Sequence, residues 1–218
     1  MKTALLFGAS GLVGSHVLNQ LISNNNYSKI KLFVRSTIDV NDHKIEIIQT
    51  DFKNLENHRE DIKGDDCFFC IGTTKKNSPD KNEYKRVELE VPKQIAQIAK
   101  SNSVNSFVFV SSGYADPKSS GDYLKFKGEV EEELKSLNFP KLGIMRPSFL
   151  LGDREEKRVG EKIGIFIFKL LSPLFIGPLK KMKPIHSEIV AKAMLKICEH
   201  EHQQVVFESN EIVELAKN

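Results

Sequence analysis

The chain has 218 residues, 40% of them hydrophobic and 28% charged, with 32 basic against 29 acidic side chains and a net charge of +3. Such proportions exclude a disordered or membrane-embedded chain. Near-balanced charge leaves no electrostatic case for nucleic acid, and the tightest cationic cluster, Lys180, Lys181 and Lys183, reads as a solvated rim.

The length suits one domain, residues 1–218, with no repeat and no Pro/Gly-rich linker. The opening MKTALLFGAS carries no signal-peptide pattern, and three cysteines are an odd number; together they point to a reducing compartment, the cytoplasm. Cys67 and Cys70 read C-x-x-C, but they lie inside the apolar run CFFCIG, where residues three apart on a strand face opposite ways. Core cysteine is the reading, not a redox pair.

In chain order, apolar runs predict strands near 3–8, 30–34, 45–48, 66–71, 106–110 and 141–145. Helical patterns fall near 12–23, 54–61, 81–101, 122–137, 160–171 and 187–200, with a last strand near 204–208 and a short terminal helix. The alternation predicts an α/β protein: a doubly wound parallel sheet of order 3-2-1-4-5-6, extended by a seventh strand, with helices on both faces.

The first strand runs straight into Gly8-x-x-Gly11-x-x-Gly14 and then into the helical pattern SHVLNQLI. At the head of a βαβ unit this is the Rossmann phosphate-binding turn: Gly8 allows the tight turn, Gly11 lets backbone approach a pyrophosphate, and Gly14 lets the helix pack closely. Ser10, Leu12 and Val13 complete the amide-rich mouth, where free N–H groups and the positive end of the helix dipole meet the phosphates. The alternative is a merely structural turn.

At the tip of the second strand stand Arg35 and Ser36, with no acid before Asp39. An acid there would bond the ribose 2′-hydroxyl of NAD; a guanidinium can hold a 2′-phosphate through two charge-assisted bonds, so NADP(H) is the preferred cofactor, with NAD(H) second. Asp51 and Phe52 stand where such folds meet adenine, although Asp51 also suits an N-cap. Gly72, Thr73 and Thr74 follow the fourth strand where the backbone passes under the cofactor. Nothing in the spacing calls for a metal.

The fifth strand ends in Val110, Ser111 and Ser112, and eleven residues further on Tyr123 precedes Lys127 by four. Positions four apart share a helix face. A nearby ammonium stabilises phenolate, so Tyr123 would exchange a proton with a substrate oxygen, Lys127 would tune it and hold the nicotinamide ribose, and Ser112 would polarise a carbonyl. The bland alternative is an exposed helix face. Arg146, Pro147 and Ser148 end the sixth strand, beside the expected nicotinamide or as a plain terminator. His186 lines the pocket, caps the helix after it, or joins the core.

The segments GASGLVGSHVL, FCIGTTKK, FVFVSSGYADPKSSGDYLKFKGEVEEEL, MRPSFLLGDRE and KPIHSEIVAKAM together resemble the atypical short-chain dehydrogenase/reductases, in particular the branch of the Tat-interacting, CC3-like oxidoreductase and its bacterial NAD(P)-binding relatives. The resemblance covers nearly the whole chain. It implies an NADPH-binding Rossmann domain with Ser112, Tyr123 and Lys127 as its Ser-Tyr-Lys set. One departure stands out: Glu88 falls about where many active relatives carry an asparagine that organises a proton relay.

Three functions follow. The first is an NADPH-dependent reductase of a small carbonyl-like substrate; the second is an NADP(H)-sensing, NmrA-like binding protein; the third is a nucleotide-sugar epimerase or dehydratase. About seventy residues follow the sixth strand, so the pocket is expected to be small, with walls from 114–122 and 153–185. Within them the apolar run 160–178, interrupted by Lys162, Lys169 and Pro173, reads as a core helix, as a pocket lid or a homodimer or protein-partner surface, or as a membrane-surface anchor. It is too short for a confident span.

Overall fold

The computed structural model describes residues 1–74, 76–152 and 183–217. Strands β1 (Lys2–Phe7), β2 (Tyr27–Val34), β3 (Ile45–Gln49), β4 (Asp66–Phe69), β5 (Ser106–Val110), β6 (Lys141–Arg146) and, late in the chain, β9 (Val206–Glu208) form one sheet in the order β3-β2-β1-β4-β5-β6-β9, every pair parallel. This is the Rossmann order with the added seventh strand. A short parallel pair, β7 (Leu150–Leu151) with β8 (Ile185–His186), was not expected and brackets the residues outside the description.

The strands are apolar on both faces because helices cover both. Ala4 and Leu6 of β1, Phe68 of β4 and Met145 of β6 pack with α1 (Leu12–Ser23), α5 (Ser187–Glu199) and α6 (Ser209–Leu215). Their neighbours Leu5, Phe7, Cys67, Phe69 and Ile144 pack with α3 (Val91–Ser101) and α4 (Asp122–Ser136). Strand alternation therefore divides the core in two. Cys67 and Cys70 fall on opposite sides of this division, and both are free thiols.

On the α3/α4 side a row of phenylalanines crosses four strands in register. Phe33, Phe7, Phe69 and Phe109 occupy paired positions, with ring centroids 4.3, 5.9 and 5.8 Å apart in succession. The row forms a rigid apolar floor just below the carboxyl edge of the sheet, the edge at which open α/β folds bind ligands.

Two expected helices take different forms. The pattern at 54–61 yields only a 3₁₀ turn, Leu55–His58. The run expected as one helix over 81–101 is α2 (Lys81–Lys85), a π-helical turn (Arg86–Glu90) and α3. Pro92 supplies the reason, since it has no N–H to give the Glu88 carbonyl four residues back and the α ladder cannot pass unbroken. The helix expected at 160–171 and the apolar run 160–178 lie outside the described residues.

Candidate functional site

Between β1 and α1 the backbone turns on Gly8, whose φ of +89° is the left-handed region open to glycine. A Cβ there would stand 2.8 Å from the Cys70 carbonyl carbon, and one on Gly14 would stand 2.0 Å from the Gly8 oxygen. Gly14 thus serves the turn itself as much as the packing of the helix on the sheet. Gly11 donates its N–H to the Gly8 carbonyl (3.0 Å) and accepts from the Ser15 N–H (2.9 Å). As N-cap of α1, Gly11 offers no side chain to its amides, and no acid sits in the first turn. With Ser10 exposed, Leu12 half-buried and Val13 buried, the mouth presents unsatisfied N–H groups and positive potential.

A cavity of about 250 Å³ opens from this turn. Gly8, Ser10 and Gly11 line it at one end, Arg35, Ser36 and Phe52 at the other, and Gly72 and Thr73 below. Arg35 is exposed, and its guanidinium makes no hydrogen bond or ion pair with the described residues, while its carbonyl accepts from Gln49 Nε2 at 3.2 Å. Asp51, Thr74, Leu12, Val13 and Gly14 do not line the cavity. Asp51 is exposed and its carboxylate accepts the Lys53 N–H at 2.9 Å, and Thr74 Oγ1 accepts the Asn77 N–H at 3.3 Å, so both side chains serve local turns.

The second cluster stands on β5, α4 and β6, beyond the cavity. Tyr123 and Lys127 rise from the first turns of α4, with Tyr123 exposed and Lys127 buried. Lys127 Nζ donates to the Val110 carbonyl at 3.3 Å, lies 4.8 Å from the Phe109 ring centroid and 6.0 Å from that of Tyr123, and pairs with Glu88 Oε2 at 3.1 Å. Burial works to discharge Lys127, but Glu88 and then Tyr123 outweigh it and hold the ammonium above the ordinary lysine value. Ser112 Oγ donates to the Gly113 carbonyl at 3.3 Å. Gly128 lets the loop before α4 lie against the helix, since a Cβ there would stand 2.3 Å from Pro117 N.

A family model described as NAD(P)H-binding matches residues 8–201. The chain belongs to this NAD(P)H-binding family. Protein HTATIP2 of Rattus norvegicus is 33% identical over 164 residues, 73% of this NAD(P)H-binding chain and 67% of that protein. Protein FMP52, mitochondrial, of Debaryomyces hansenii is 31% identical over 199 residues, 89% of this chain and 87% of that one. Among solved structures, the Bordetella bronchiseptica enzyme WbmH in complex with NAD+ superposes with a TM-score of 0.72 at 17% identity, over all of this chain and 80% of its own. UDP-glucose 4-epimerase from Thermotoga maritima gives 0.70 at 15% identity, over 99% and 81%. Identities this low show the fold alone.

Three expected contact residues of the NAD(P)H-binding chain, Ser111, Arg146 and Ser148, have their side chains bound elsewhere. Ser111 Oγ donates to buried Glu131, which also takes Nε and Nη2 of Arg146; Arg146 reaches the Ala115 carbonyl at 3.1 Å and Glu208 at 3.4 Å. Glu131 above all raises the pKa of Arg146. Pro147 accepts the Gly113 N–H at 2.9 Å, while Ser148 donates its N–H to Ser209 Oγ at 2.8 Å and its hydroxyl to the Lys183 carbonyl at 2.5 Å. His186 is exposed at the N-cap of α5 and makes no side-chain cap bond.

Sequence reasoning missed Arg86, which lines the cavity while gripping Glu83 and the Phe52 carbonyl (2.8 Å), and it assigned Glu131 no role. Spacing marks Glu131 in retrospect, four residues after Lys127 on the buried face of α4; Arg86 carries no such signal. Among the described residues no helix is long and apolar enough to cross a membrane.

Proposed function

We propose that this protein is an NADPH-dependent oxidoreductase of the atypical short-chain dehydrogenase/reductase type, acting on a small carbonyl-like substrate. The observation that carries the reading is the conjunction of the Gly8–Gly14 cradle with buried Lys127 one helical turn from Tyr123 at the same sheet edge. A dinucleotide fits the residues present: a Cβ at Gly8 or Gly14 would fill the turn, and the α1 amides lack a cap.

Gly8, Ser10 and Gly11 with the Leu12, Val13 and Gly14 amides would take the diphosphate, Arg35 and Ser36 the 2′-phosphate, Phe52 the adenine, and Gly72 and Thr73 the ribose side, with Asp51 and Thr74 held in local turns outside the cavity. Val110, Ser111, Arg146, Pro147 and Ser148 would flank the nicotinamide, with Ser111, Arg146 and Ser148, whose side chains are engaged, acting through their backbone. When bound, the nicotinamide supplies a hydride. Tyr123 gives its phenolic proton to the substrate oxygen, Lys127 steadies the phenolate left behind, and Ser112 orients the carbonyl.

The Glu88 carboxylate against Lys127 favours a second reading, an NADP(H)-sensing NmrA-like protein, because a protonated lysine whose charge is already balanced by a carboxylate tunes the phenol less. Tyr123→Phe separates the two. Against a panel of carbonyl compounds it abolishes NADPH oxidation, by about 10³-fold or more, while NADPH affinity stays within about twofold. Unchanged turnover overturns the acid role; no turnover in the wild type alongside intact NADPH binding favours the sensor. We assign the protein to the cytoplasm on its three free thiols; recovery in a mitochondrial fraction, in line with the names of the FMP52 relatives, overturns that assignment.

A further inference from the structure

The reduction scheme makes no use of Glu88, whose side chain is 0% exposed beside a Lys127 side chain 4% exposed. Its Oε1 accepts the Thr73 N–H below the cavity; its Oε2 lies 3.1 Å from Lys127 Nζ yet receives no hydrogen bond, the approach falling outside hydrogen-bond geometry. The π-helical turn Arg86–Glu90 carries this carboxylate, so a local break in α-helical order holds it between the Thr73 loop and the lysine. A lysine buried over an aromatic ring without a counter-charge sheds its proton several pH units early.

We propose that Glu88 is a positioning residue for Tyr123, the counter-charge that keeps Lys127 protonated beneath the phenol and fixed at the Val110 carbonyl. The proposal rests on the reductase reading above. Other groups face the pair from each element around it. On α4, Asp122 and Tyr123 stand at the helix start, and Glu131 is already committed to Ser111 and Arg146. From α2 comes Tyr84, whose phenol burial pushes up to about 12; after β4 comes Cys70, whose thiol burial likewise pushes up to about 12, so both are neutral at working pH. Among the described residues, Glu88 is the carboxylate in contact with the ammonium. The raised Lys127 value means that the pair holds at neutral pH and is lost only as pH climbs through that value.

Carbonyl reduction needs a protonated phenol and a charged lysine. In Glu88→Gln, which keeps an acceptor for Thr73, the alkaline limb of the kcat/KM profile with NADPH therefore moves down by at least about one pH unit. The ε-carbon NMR signal of Lys127 titrates correspondingly earlier, and Glu88→Asp recovers part of both shifts. NADPH affinity at pH 6 stays within about threefold of wild type, which a collapsed fold would not allow. An unmoved limb together with an unmoved lysine titration overturns the proposal. Should Glu88→Gln fail to fold, the double variant Glu88→Gln/Lys127→Met, which removes both charges, regains folding; failure to do so also overturns it. If wild type neither binds NADPH nor reduces any carbonyl, the reductase reading falls by itself, and the Lys127 titration still decides the role of Glu88.

Discussion

The two halves of the candidate site are built by different means. At the β1–α1 turn the binding surface is backbone: Gly8 at φ +89°, Gly14 against the Gly8 oxygen, and uncapped amides at the head of α1, all within seven residues of sequence. At the β5–α4–β6 end it is side chains in ion pairs: Glu88 with Lys127, and Glu131 with Arg146, contributed by segments 39 and 15 residues apart. Backbone recognition tolerates almost no added volume, whereas charge networks tolerate volume but not the loss of a partner. The two halves should therefore fail differently.

The largest effect is expected at the turn. Gly14→Val sets a branched side chain where even a Cβ would lie 2.0 Å from the Gly8 oxygen, so calorimetric NADPH binding is lost by 10³-fold or more; near-wild-type affinity would show that the turn relaxes freely. Next comes the network. Glu131→Ala leaves the Arg146 guanidinium and the Ser111 hydroxyl without their buried acceptor, and urea unfolding should show a loss of about 3 kcal/mol, with NADPH affinity of the folded fraction changed much less. Equal losses in both measurements would erase the contrast between the halves. The smallest is Arg35→Ala: an exposed guanidinium that makes no hydrogen bond or ion pair with the described residues gives up about tenfold in NADPH affinity and almost none for NADH, and wild-type affinities equal for the two nucleotides would refute the NADP(H) preference.

Most of the fold was legible because it rests on local rules. Runs such as ALLF and FVFV alternate between two buried faces, and the alternation of strands with helices leaves few parallel orders; even the seventh strand, Val206–Glu208, stood out as a short apolar run after a helix. The interruption at Arg86–Glu90 was legible in principle, since Pro92 cannot donate to the Glu88 carbonyl, but the charged run before it read as ordinary helix. On the site, Gly8-x-x-Gly11-x-x-Gly14 and Tyr123-x-x-x-Lys127 could be read because turn geometry and helix periodicity act over a few residues. The partners of Lys127 and Arg146 could not, and neither could the engagement of Ser111 by Glu131 in place of a ligand.

The amino-acid order by itself determined the parallel sheet, the phosphate-type turn and the shared face of Tyr123 and Lys127, because each follows from steric and periodic constraints between near neighbours. Only the tertiary structure decided which carboxylate meets which cation. A buried charge is governed by whatever the folded chain brings within a few ångströms, and the packing of α4 against the π-helical turn brought Glu88 to Lys127 and left Arg35 open to solvent.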